Sequence, residues 1–219
     1  MTEKKEKEDM KVIVGRLRAL QEDSKTQPGY AQNNTHLGDT HGDIYKLAGA
    51  LIASGAAVIG DPEVVKIDVT TGDKMLKEEF DILLEQDKNM YIKKYNGKIM
   101  TKKDYDEEQL RFTGHNEWRR DIVEVSKFYD VPNLIKNTNY KGTFIQTGDI
   151  IDRGKYSAES YLLMHSLIKN NNEEKNPNII FLLGNHEITY PESPGIHSYK
   201  VRELLKKDVE KRECSFYSL

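Results

Sequence analysis

The heptapeptide Gly148-Asp-Ile-Ile-Asp-Arg-Gly154 puts two carboxylates and one guanidinium into seven residues. It follows the apolar run Gly142-Thr-Phe-Ile-Gln-Thr147, which reads as a buried strand, and it precedes a segment of helical periodicity over Ser157 to Asn170. Three charges in a strand-to-helix turn are costly unless they hold a metal or an anion. The chain must therefore bring further polar groups to meet them, and that requirement restricts the folds open to it.

Two other strand ends supply such groups. Tyr30 to Leu37 is expected as the first strand, although Gln32, Asn33, Asn34, Thr35 and His36 make it polar, and it runs into Gly38-Asp-Thr-His-Gly-Asp43. Asn178-Ile-Ile-Phe-Leu-Leu183 is a buried strand ending at Gly184-Asn-His-Glu187. Helices are expected between them. Val12, Val14, Leu17 and Leu20 suggest one face of a short helix ending before Gln27-Pro28-Gly29. Ile44, Leu47, Ala48, Leu51 and Ile52 suggest a second, stopped at Gly55. Tyr161, Leu162, Met164 and Leu167 form the apolar face of a third, and Ser198 to Glu213 reads as a terminal helix. Val64 to Val69 is a further strand candidate. Strands alternating with helices predict an α/β layered domain.

Residues 73–139 differ in character. Lys74 to Glu85 reads as an amphipathic helix through Met75, Leu76, Phe80, Leu83 and Leu84. Asn96-Gly97 between alternating flanks is a strong hairpin signal. Glu107 to Asp130 carries Trp118, Ile122, Val125 and Phe128 at helical spacing, with Pro132 ending the element. The expected organisation is an N-terminal helix and tail over 1–29, a catalytic domain over 30–72 and 140–219, and an inserted, mainly helical subdomain with a hairpin over 73–139.

The three polar turns each end a strand, and in open α/β sheets ligands gather at the carboxyl ends of strands. Asp39, His41, Asp149, Asp152, Arg153, Asn185 and His186 thus point to one site. Carboxylate and imidazole suit manganese, iron or zinc, and no thiolate is involved. Arg153 can grip phosphate oxygens in a bidentate fork. The glycines let backbone approach an ion or phosphate without interference from a Cβ.

Gly-Asp-x-His-Gly at 38–42, Gly-Asp-x-x-Asp-Arg-Gly at 148–154 and Gly-Asn-His-Glu at 184–187 resemble, in order, the signature of the PPP-type serine/threonine phosphoprotein phosphatases of the calcineurin-like metallophosphatase superfamily. The likeness covers residues 36–72 and 140–190. It implies an α/β/β/α layered sandwich and two divalent metal ions, manganese first, with iron or zinc as alternatives. Asp39 and His41 would bind the first ion, Asp149 would bridge both, and Asn185 would reach the second ion and the substrate phosphate. A metal-bridging hydroxide would attack phosphorus in line. His186 would protonate the leaving alkoxide with Asp152 orienting its ring, and Arg153 would bind the phosphoryl oxygens. The implied substrate is phosphoserine or phosphothreonine in a phosphoprotein, and 73–139 is a candidate docking module for a partner. The Asp152-Arg153 pair favours this reading over the related diadenosine polyphosphate hydrolases, which usually vary at that aspartate.

The family has two more metal-ligand histidines and an arginine beyond Gly-Asn-His-Glu, where only His197 follows here. The chain therefore reads as the N-terminal part of a catalytic domain, incomplete at its C-terminus. A non-catalytic fragment or scaffold is the alternative from a different functional class. Other histidines have plainer readings: His36 as a packed or surface residue, His115 as a loop residue and His165 as structural.

Bulk properties exclude several classes. Thirty-three basic against 36 acidic residues give neither a nucleic-acid footprint nor a membrane-binding face. The single Cys214 excludes an intrachain disulfide and fits a reducing compartment. No apolar run approaches the ~20 residues of a bilayer span, and the charged N-terminus has no apolar signal-peptide core. A cytoplasmic location is expected, with export independent of a signal peptide left open.

Overall fold

A computed structural model describes residues 9–69, 72–75, 91–95, 98–101, 123–126, 128–169, 178–189, 201, 203–208 and 210. Helix α1 (Met10–Lys25) starts where the Asp9 carboxylate accepts the N–H of Lys11 at 2.9 Å. It buries Met10, Ile13, Val14, Leu17, Gln21 and Ser24, while Val12 stays 51% exposed. The expected face is thereby corrected, since residues two apart stand about 200° apart around a helix and Val12 cannot share the face of Val14.

Strand β1 (Thr35–Leu37) is shorter than expected because the polar residues before it bind the chain near 140 instead. The Asn34 side chain accepts from the N–H of Thr143 at 2.8 Å, and the Asn33 carbonyl accepts from the Tyr140 hydroxyl at 2.9 Å. Helix α2 (Ile44–Ala53) is capped by Asp43, which accepts from Lys46 N at 2.9 Å, and buries all five expected apolar residues. Gly55 follows with φ +77°.

The following strand, β2 (Ala57–Asp68), starts well before the expected Val64. It pairs antiparallel with β3 (Lys74–Met75) on one side. A second antiparallel sheet contains β4 (Tyr91–Tyr95), β5 (Lys98–Thr101) and β6 (Val123–Ser126), ordered β5-β4-β6, and the expected hairpin strands β4 and β5 pair antiparallel with Tyr95 opposite Lys98. Strand β7 (Phe128–Lys136) then returns beside β2, with a register shift between Ile59 and Val64.

The mainly helical character expected of 73–139 is not found among the described residues, whose regular structure there is all strand. Trp118, Ile122, Val125 and Phe128 repeat at helical spacing, but the β-branched alternation of Val123 and Val125 is the period that prevails. Pro132 lies inside β7 rather than ending an element. Residues 76–90 and 102–122, with His115 and most of the two helix expectations, fall outside the described residues, as do His197 and Cys214.

Strand β8 (Phe144–Gln146) and β9 (Ile179–Phe181) complete a parallel sheet in the order β1-β8-β9, with Leu37 beside Gln146 and Gln146 beside Phe181. Helix α3 (Ser157–Ile168) joins β8 to β9, and the short α4 (Asn185–Thr189) follows β9. Residues 201, 203–208 and 210 are helical, within the expected terminal helix. Asp208 there accepts from the Tyr161 hydroxyl at 2.5 Å and bonds His165 Nδ1 at 2.7 Å, which gives His165 a structural role. One continuous core runs through these elements. It joins Leu17 of α1, Leu47 and Leu51 of α2, Ile67 and Leu134 of the β2–β7 pair, Phe144 of β8 and Tyr161 and Met164 of α3. Among the described residues the fold is mixed α/β, with one parallel and two antiparallel sheets.

Candidate metal centre

Parallel pairing of β1, β8 and β9 puts the carboxyl ends of all three strands on one edge, and the three polar turns emerge there side by side. Backbone bonds lock the first turn to the second. Thr40 and His41 both donate to the Asp149 carbonyl, at 3.1 and 2.9 Å, and Tyr156 donates to the Gly42 carbonyl at 3.1 Å. Inside the edge, the buried Gln146 side chain donates to the Gly38 carbonyl at 3.1 Å and accepts from Gly148 N. It thus ties the Gly-Asp step of one turn to the Gly-Asp step of the next.

Close approach decides two of the glycines. A Cβ on Gly148, whose φ is +103°, would collide with the backbone of Gly184, and one on Gly154 would collide with the carbonyl of His41 and with Gly42. Their service is to let the turns touch one another, where the sequence suggested room for an ion or phosphate. The crowding also strains side-chain-bearing residues: His41, Asp149, Asp152 and Arg153 have φ of 46°, 54°, 72° and 61°. Left-handed backbone at residues other than glycine costs on the order of 1–3 kcal/mol each and clusters at functional sites.

Out of this strain come His41, Asp149 and His186, each offering a ligand atom within 4.8 Å of the others. His41 Nδ1 lies 3.2 Å from the carbonyl oxygen of Ile151. A carbonyl only accepts, so that nitrogen carries the proton and Nε2 keeps its lone pair. The same Nε2 lies 3.7 Å from Asp39 Oδ2, so Asp39 stands beside the group. Asp149 commits Oδ1 to the N–H of His186 at 3.0 Å. The His41 imidazole and the Asp39 and Asp149 carboxylates form a nitrogen and oxygen donor set that suits manganese, iron or zinc, and a divalent cation fits the residues present, whereas both ring nitrogens of His186 are engaged by Asp152 and Arg153.

The His186 ring sits edge-on to that of His41, with centroids 4.8 Å apart and planes at 78°. Its Nδ1 is 3.1 Å from Asp152 Oδ2, and its Nε2 is 3.5 Å from Arg153 Nη2. His186 is 7% exposed, whereas Arg153 reaches solvent, so the guanidinium rims the site that the imidazole floors. Asn185 begins α4 beside His186 and is exposed. His36 is exposed on β1 and takes no part in the group.

Two residues escaped the sequence reading. Gln146 is one, and a lone amide inside the apolar run Phe144-Ile-Gln146 was its signal. Glu187 is the other: 0% exposed, it accepts from Asp149 N at 2.8 Å, Ile150 N at 2.8 Å, Ile151 N at 3.1 Å and Gly184 N at 2.9 Å. Its signal was a carboxylate directly after an apolar strand end, in a turn already crowded with ligand types. The family model described as calcineurin-like phosphoesterase matches residues 35–217. No curated protein and no solved structure matches the chain.

Proposed function

The chain belongs to the calcineurin-like phosphoesterase family, which makes it a metal-dependent hydrolase of phosphoesters, and we propose that it is a phosphomonoesterase with two divalent ions, acting on phosphoserine and phosphothreonine in proteins. The observation that carries this reading is the grouping of His41, Asp149 and His186 within 4.8 Å, with Asp152 and Arg153 bonded around His186.

Asp39, His41, Asp149 and Asn185 would hold the ions, which when bound supply Lewis acidity to the phosphoryl oxygens and ready ionisation of water. Manganese is the first candidate. The remaining work falls to the chain. Arg153, 3.5 Å from His186 Nε2 at the exposed rim, donates to the phosphoryl oxygens and offsets the charge that grows on them. His186 keeps the proton on Nδ1 against Asp152; with Arg153 turned from Nε2 onto the phosphoryl oxygens, Nε2 takes a second proton from solvent and passes it to the departing alkoxide oxygen. Asp152 holds the ring in that orientation. The Asp152-Arg153 pair supports a protein substrate over a dinucleoside polyphosphate.

The full chain supplied with manganese is expected to hydrolyse both a generic aryl phosphate and a phosphoserine peptide. Asp149→Asn should abolish both activities and lower manganese uptake. Preference for dinucleoside polyphosphates would overturn the substrate assignment, and a folded, manganese-loaded chain without turnover would overturn the enzymatic one.

A further inference from the structure

Glu187 has no part in the chemistry above, yet it is the most completely engaged side chain at the site. Each of its oxygens accepts two backbone N–H groups, Oε1 from Ile150 and Ile151 and Oε2 from Asp149 and Gly184. Three of those donors are consecutive, and they begin at a residue with φ +54°. Successive N–H groups converging from such backbone form an anion-binding nest. Here the anion is a side chain of the protein itself.

The grip is reciprocal. Glu187, from the third turn, holds the backbone of the second, while Asp149, from the second, gives Oδ1 to the backbone N–H of His186 in the third. Asp149 is thereby fixed at both ends, in its strained backbone and in its carboxylate plane, with Oδ2 left for a cation. Ile150 and Ile151 are 0% exposed, so no solvent could replace the carboxylate that their N–H groups would lose.

We propose that Glu187 is a positioning residue of the metal centre, fixing the Asp149 carboxylate and the start of α4 by filling the nest of N–H groups at 149–151. The inference rests on the metal-centre reading above. Charge alone would not suffice. A glutamine in the same place must turn its NH2 toward two N–H donors whichever way it flips, so the isosteric variant is informative.

Manganese affinity is read without turnover from the electron paramagnetic resonance of free Mn(II), titrated into metal-stripped full-length chain. Glu187→Gln is expected to raise the dissociation constant about 10- to 100-fold, the usual cost of removing a group that orients a metal ligand. Leu134→Ala, in the core on β7 and outside the sheet that carries the turns, lowers global stability and should leave the affinity unchanged. Should Glu187→Gln not fold, Glu187→Asp, which keeps an acceptor-only carboxylate one methylene short, takes its place with the same expected loss. Wild-type affinity in the substituted chain overturns the proposal, and so does an equal loss in Leu134→Ala. Failure of both Glu187 variants to fold overturns it too, because the role would then be stability alone. A wild-type chain that takes up no manganese instead refutes the metal-centre reading itself, and the role of Glu187 falls with it.

Discussion

At His41 one hydrogen bond, from Nδ1 to the Ile151 carbonyl at 3.2 Å, decides which ring nitrogen faces the site. His186 is set in the same way by Asp152. The two rings nevertheless answer to different partners, one neutral and one charged, and the difference suits a ligand in the first case and a proton carrier in the second. Asp152→Asn should therefore lower kcat by about 100-fold or more, the scale of general acid catalysis, while manganese affinity stays close to wild type. A matched loss in both quantities would place Asp152 among the ligands. Gly154→Ala should be more damaging than its size suggests, because its methyl would strike the His41 carbonyl and separate the first turn from the second. The expected result is loss of both manganese uptake and cooperative unfolding. That the turns carrying Asp39, His41, Asp149, Asp152, Arg153 and His186 meet at one sheet edge was legible in the sequence, since polar groups flanked by glycine at strand ends announce themselves. Gln146 and Glu187 were not. Their partners are backbone amides and carbonyls, and a search for ligand types does not see a side chain whose task is to satisfy its own main chain.

Helix α2 was read correctly because local and tertiary demands agree in it: an Asp43 cap, an apolar repeat at three and four, and a left-handed Gly55 after the last turn. The cap also stands directly after the first polar turn, so α2 fixes the exit of that turn as well as packing the core. Asp43→Ala should cost about 1 kcal/mol of stability, measured as a lowered denaturation midpoint with unchanged slope. The strands between 57 and 136 were less legible. Strand β2 starts at Ala57 and continues through Asp61-Pro62, a pair that normally signals interruption, and it does so by shifting register against β7 between Ile59 and Val64. β7 in turn has Pro132 and Asn133 in its middle, with Asn133 Nδ2 reaching the Pro62 carbonyl at 2.7 Å. Long-range pairing overrides local punctuation there, and no window of a dozen residues contains both partners.

Across the molecule, α1, α2, α3 and the β2–β7 pair share a core with the parallel sheet that carries the site. Phe144, 0% exposed in the middle strand of that sheet, packs immediately before the second turn. Phe144→Ala should cost about 3–5 kcal/mol, and unlike Leu134→Ala on β7 it should also weaken manganese binding, because Phe144 lies in the strand that leads into the second turn. Metal and fold are linked in the other direction as well. An ion bound only by the native chain at 100 times its dissociation constant adds about 2.7 kcal/mol of stability. Chelation should accordingly lower the midpoint of thermal unfolding, and Asp149→Asn should abolish that dependence. No helix among the described residues is long and apolar enough to cross a membrane.

The pairing of Thr35 with Phe144 and of Phe144 with Ile179 also has a consequence in time. The first and second turns lie more than a hundred residues apart in sequence, and the bonds between them close one of the longest loops in the protein. Contacts of such separation form late, after local helices and hairpins have reduced the entropy of closing the chain. On a ribosome, Asp39 and His41 would leave the exit tunnel long before Glu187 existed to clasp the turn that completes their site. Capture of an ion would then mark the end of folding rather than its beginning. In refolding from denaturant, the fall in free Mn(II) should lag the recovery of helical circular dichroism.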